Sequence, residues 1–394
     1  MSKSLRITLM LLMVAGFAFG FAGLVMPNQT ALLETPRGNE FQFQRLHIFL
    51  FNLVAGGTVL LWFSEGMRKL SKRVVAYLVL SLAFSLAAFL NQYGIAIIFA
   101  LLLAGIVERI RIQRFSLFPR DFFSLKASVA EKFHHAALLC LSLGLLISAG
   151  VMLNNDYLHL FDVLNLLLDD FFLGFSFPLS LMTFAVMFSL MDEAENRRIR
   201  LLRESSFWSV TVGVIVFFVF IILGVFSAEI LLSLFLLGDV ILIFALFQRD
   251  SADLEEDQYL TSGMVFLIFT GVTGILILPW SKYISPQQAP GVDLLFQIHA
   301  YLSLYGWNLS GLTVVIRHDE FPLRLHDLEI ILLHWMTIAL LAPLGSIYPV
   351  FSLLALPAFA ILLGLVFFGT GHAHVASRKV LLPRIPTRFW HKLN

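Results

Sequence analysis

Runs of about twenty apolar residues, separated by short polar interruptions, fill most of this chain. None alternates in the apolar–polar fashion of a barrel strand, which argues against a β-barrel. Twelve runs approach the length a helix needs to cross roughly 30 Å of hydrocarbon. They cover roughly 7–27, 45–64, 73–91, 93–110, 134–153, 169–191, 207–226, 228–247, 260–280, 293–316, 328–343 and 349–371, the fourth and eleventh being the shortest. The seventh and eighth nearly fuse around Ser227, Ala228 and Glu229, which reads as a tight turn. The first run is too long for a signal peptide and no small-x-small site closes it, so it counts as a helix. No interruption is long enough to fold alone. The pattern therefore predicts an all-α polytopic membrane protein of about twelve transmembrane helices, one transmembrane domain over 1–394.

Composition agrees. The chain is 59% hydrophobic and 13% charged, against about 25% charged in ordinary soluble domains. A single cysteine, Cys140, rules out an internal disulfide framework, an all-cysteine cluster and a CxxCH haem attachment. A formal net charge of +1 gives no reason to expect nucleic acid.

Basic residues set the orientation. Lys3 and Arg6, then Arg68, Lys69, Lys72 and Arg73, fall on one side if the helices alternate. So do the basic residues of 109–132, 197–203, 317–324 and 378–392. The 248–258 interruption is the weak case, with Arg249 among five acidic residues. The opposite side holds only Arg37, Arg45 and Lys282. Both termini are expected to be cytoplasmic. The apolar stretch 154–168 reads equally as a segment lying flat on the membrane or as an ordered loop.

Inside such a chain each polar side chain needs a reason. His47 opens the second run and His299 lies about two turns into the tenth, both entered from the outer side. Two imidazoles at similar depth on different helices are what one haem iron between helices requires. The alternative is two unrelated hydrogen-bonded histidines. Gly56 lies near His47, and Tyr305 and Gly306 near His299; the glycines allow close approach of a neighbouring helix or of a flat macrocycle. A second layer lies toward the cytoplasm, where His334, His372 and His374 are candidates for a further haem, copper or quinone-head site. Asp239 is the one carboxylate well inside a run, suited to a proton relay or to a structural pairing.

The twelve-helix plan and the positions of His47 and His299 resemble the catalytic subunit of haem-copper oxidases and nitric-oxide reductases. The string His299-Ala300-Tyr301-Leu302-Ser303-Leu304-Tyr305-Gly306-Trp307 looks like the tenth-helix pattern of smaller, divergent members, and the resemblance extends to the NnrS-like membrane proteins. It implies a subunit I-like bundle in a prokaryotic cytoplasmic (inner) membrane. It also implies a low-spin haem, haem b, ligated by His47 and His299. Gln297 stands where the family's high-spin haem ligand would be, and the sixth and seventh runs contain no histidine for copper. The resemblance thus implies a haem protein without the copper-containing oxygen-reducing centre, so terminal oxidase activity is not expected. Its role would be electron transfer or that of a respiratory-complex subunit, with a redox protein or quinone as partner. Two other classes stay open: a transporter for a small solute or metal, with His47, His299 and Asp239 in its path and Pro178 kinking the sixth helix, and a cofactor-free structural or assembly subunit.

Overall fold

The structure is a computed structural model and describes residues 1–25, 43–67, 70–124, 126–160, 175–192, 196–251, 255–283, 291–321 and 323–370. Among these residues the regular elements are helices, with one isolated bridge, Met191 to Ser251. Helix α1 is Lys3–Val25. Helix α2 runs through Phe43–Ile48, Phe49–Gly56 and Gly57–Ser64, its middle piece π-helical. Then come α3 (Lys72–Phe89), α4 (Tyr93–Arg114) and α5 (Val129–Leu153), the last continued by a π-helical Asn154–Leu158. Next are α6 (Phe177–Leu190), α7 (Arg197–Leu223), α8 (Phe226–Asp250) and α9 (Glu255–Tyr283). Helix α10 joins Gly291–Tyr301, the π-helical Leu302–Asn308 and Leu309–Arg317. Helix α11 joins Leu328–Trp335, the π-helical Met336–Leu341 and Ala342–Ile347, and α12 is Pro349–Phe368. Nine of the described helices are long and apolar enough to cross a membrane. The protein is an all-α, multi-pass membrane protein.

Several helices outrun their apolar cores. Helix α5 starts at Val129 because Ser128 caps it, with Glu131 closing a reciprocal capping box. Helix α7 starts at Arg197, ahead of its apolar stretch, because the Asn196 side chain accepts from the Ile199 N–H. The bend between α7 and α8 falls at Gly224, with φ at +67°, so Ser227–Glu229 form the first turn of α8 rather than the turn itself. Pro178 lies in the first turn of α6, where a missing N–H costs nothing, and does not kink that helix. His372, His374 and the stretch 161–168 lie outside the described residues.

The helices pack as three arcs of four: α11–α12–α1–α2, α3–α4–α5–α6 and α7–α8–α9–α10. The last member of each arc lies inside. Helices α2, α6 and α10 touch pairwise, and α12 closes the ring against α1. Burial follows this plan, from 89% of the α2 span to 22% of the α8 span. An outer helix presents its apolar residues to lipid, whereas an inner one must match neighbours on all sides. His47 and His299 sit on the two inner helices α2 and α10, and His334 on α11.

Candidate functional site

His47 is 6% exposed and lies between α1 and α10. Helix α1 can come this close because it carries Gly16 and Gly20. A Cβ on Gly20 would stand 3.1 Å from His47 Nδ1, and one on Gly16 would stand 3.2 Å from the His47 carbonyl oxygen. From α10, the Tyr305 hydroxyl meets His47 Nδ1 at 2.7 Å. The Tyr305 ring is held by Phe17, Phe51 and Phe359 at centroid separations of 5.0, 4.6 and 5.1 Å.

His299 turns to α9. Its Nδ1 lies 3.0 Å from the Thr270 carbonyl oxygen and 3.3 Å from Thr273 Oγ1. A carbonyl only accepts, so Nδ1 carries the proton and Nε2 keeps the lone pair. Gly274 makes room for the ring: a Cβ there would stand 3.1 Å from His299 Cε1.

The structure does not bring the two imidazoles to one contact. His47 meets the face of α10 that carries Tyr305, while His299 is bound to α9 on a different face. Tyr305 also lies six positions beyond His299, about 9 Å of helix rise. The pairing brought together is His47 with Tyr305.

His334 extends that arrangement. It is 1% exposed, and its Nε2 donates to the Tyr305 carbonyl at 2.7 Å, across α10 and α11. Tyr305 belongs to a π-helical piece, and such turns free a carbonyl from the regular helical ladder. Gly56 and Gly306 are taken up by helix packing. A Cβ on Gly56 would strike Leu179 of α6, and one on Gly306 would lie 2.5 Å from Phe266 of α9. Asp239 stands beside Ser206 and Ser209 of α7, away from the inner helices. At the end of the bundle bearing Glu108 and Arg111, His134 is bonded to Ser64 at 2.7 Å and His135 to Arg111 at 2.8 Å.

The sequence pattern singles out Asn52 beside His47 but not Gly16, Gly20, Thr270 or Gly274. The Gly16-x-x-x-Gly20 spacing in an apolar run was the available signal. Asn52 lies on α2 one turn beyond His47, is 1% exposed, and has neither its amide nitrogen nor its amide oxygen hydrogen-bonded. A buried unsatisfied polar group costs about 1–3 kcal/mol, so an orphaned amide marks a place where a polar ligand or water is wanted.

The donor set suits axial ligation one ring at a time. Both imidazoles are held at Nδ1, His47 by Tyr305 and His299 by Thr270, and the Gly16 carbonyl of α1 also accepts a hydrogen bond from the His47 ring. A hydrogen bond to the ring nitrogen away from the metal is how haem- and metal-binding histidines are oriented. Among the described residues, no three His, Cys, Asp or Glu side chains gather as a metal site. No known protein family matches the chain, and no curated protein or solved structure matches it.

Proposed function

We propose that this chain is a haem-binding integral membrane protein acting in electron transfer, with His47 and His299 as imidazole ligands. In this reading it has about twelve membrane spans and both termini cytoplasmic, and a redox protein or quinone is its partner. The carrying observation is that each ring is held at Nδ1 by a partner on a neighbouring helix, His47 by Tyr305 and His299 by Thr270. His47 is buried on the inner helix α2, and His299 is half-buried on α10. The orphaned amide of Asn52 near His47 adds support. When bound, haem would supply a one-electron couple, held by His47 or His299. The chain's own part is to hold each ring in one orientation through Tyr305 and Thr270. His334 does not join the ligand set through Nε2, because the Tyr305 carbonyl takes that N–H.

The test is the visible spectrum of detergent-purified protein, oxidised and dithionite-reduced, beside His47→Ala and His299→Ala. A sharp low-spin α-band is expected in the parent. Loss of the whole band in each variant means one haem shared between the rings. Loss of about half in each means one haem per ring. A colourless parent after expression with adequate haem supply sinks the reading, and substrate flux in liposomes then tests transport.

A further inference from the structure

Tyr305 is pinned at both ends. Its ring is enclosed by Phe17, Phe51 and Phe359, and its carbonyl takes the His334 N–H at 2.7 Å. The hydroxyl therefore has a set direction, and it ends 2.7 Å from His47 Nδ1. The Gly16 carbonyl of α1 is a second acceptor for a ring N–H. A phenol can donate or accept, but a neutral imidazole whose Nε2 lone pair binds iron has its single proton on Nδ1. With iron on Nε2, the Nδ1–H faces the Tyr305 oxygen at 2.7 Å and is shared with the Gly16 carbonyl.

We propose that Tyr305 is the positioning residue of His47: its phenol oxygen accepts the Nδ1–H of the ligating imidazole and thereby sets that ligand's orientation and donor strength. The inference rests on the haem reading above. An acceptor on Nδ1–H makes the ring more basic, which favours ferric iron and lowers the midpoint potential. His334 acts one step further out by anchoring the π-helical turn that aims Tyr305.

A redox titration of the α-band tests this in the parent, Tyr305→Phe and Tyr301→Phe. Tyr301 is a fair control because it is also buried on α10, and its hydroxyl faces Ser346 at 3.5 Å. Tyr305→Phe is expected to keep its haem and shift the potential positive, while Tyr301→Phe leaves it in place. Should Tyr305→Phe fail to accumulate, His47→Gly supplied with imidazole or 1-methylimidazole asks the same question. Imidazole has an N–H for Tyr305 and should restore the parent potential. 1-Methylimidazole has none and should give the more positive one. Equal potentials within either comparison overturn the inference and leave the haem reading standing. A parent without haem overturns both.

Discussion

Asn52 shows at the level of one side chain how a polar residue in an apolar helix declares a purpose. Its amide is buried with both ends unpaired, an arrangement that weakens the empty protein by about 1–3 kcal/mol. Asn52→Leu is therefore expected to raise the thermal midpoint of haem-free protein and to lower the haem retained after purification. A variant that retains haem in full would separate Asn52 from the site. His47 and His299 were legible in the sequence because an imidazole in an apolar run has few innocent reasons to be there. Tyr305 was legible only as a neighbour of His299. Its partnership with His47 spans 258 positions of chain and depends on how α2 and α10 are rotated toward each other. Thr270 and Gly274 were silent for the same reason: each is ordinary in its own helix and matters only opposite His299.

Elements follow the same division. Apolar runs located the helices, but polar extensions depended on caps, and the capping box of Ser128 and Glu131 was readable without having been used. The π-helical pieces of α2, α10 and α11 have no comparable signature. Each holds one extra residue in a turn, and surrounding contacts decide whether that insertion is tolerated. Gly56 ends the π-helical piece of α2 and lies directly against Leu179 of α6. Gly56→Ala should cost about 1–3 kcal/mol of stability through overpacking and so lower the thermal midpoint. Adding Leu179→Val should restore part of the loss. No recovery in the double variant would place the strain elsewhere than at the α2–α6 contact.

For the whole molecule, closure of the three arcs depends on charge as well as on apolar packing. Arg317 at the end of α10 is 2% exposed and donates to the carbonyls of Val366 and Gly369 at 3.0 and 2.7 Å, tying α10 to the end of α12. Arg6 of α1 reaches the Phe367 carbonyl at 3.2 Å, and Glu320 bridges both arginines. Arg317→Leu leaves those carbonyls and half of the Glu320 pairing unmet. Leaving a buried carbonyl without its donor costs about 1–3 kcal/mol. The expected result is a lower unfolding midpoint and faster proteolysis near residue 370. An unchanged midpoint would mean that the α1–α12 contact closes the ring alone.

The sequence by itself determined that this is an all-α, multi-pass membrane protein, because lipid offers the backbone no hydrogen bonds and each apolar run must satisfy its own as a helix. It also marked the two imidazoles that no apolar helix needs. Only the tertiary structure decided that α2, α6 and α10 lie inside, that His47 faces Tyr305, and that His299 faces α9. Those outcomes depend on helix rotation and on π-helical turns, which are set by packing between residues far apart in the chain. No local pattern of hydrophobic and polar positions encodes them.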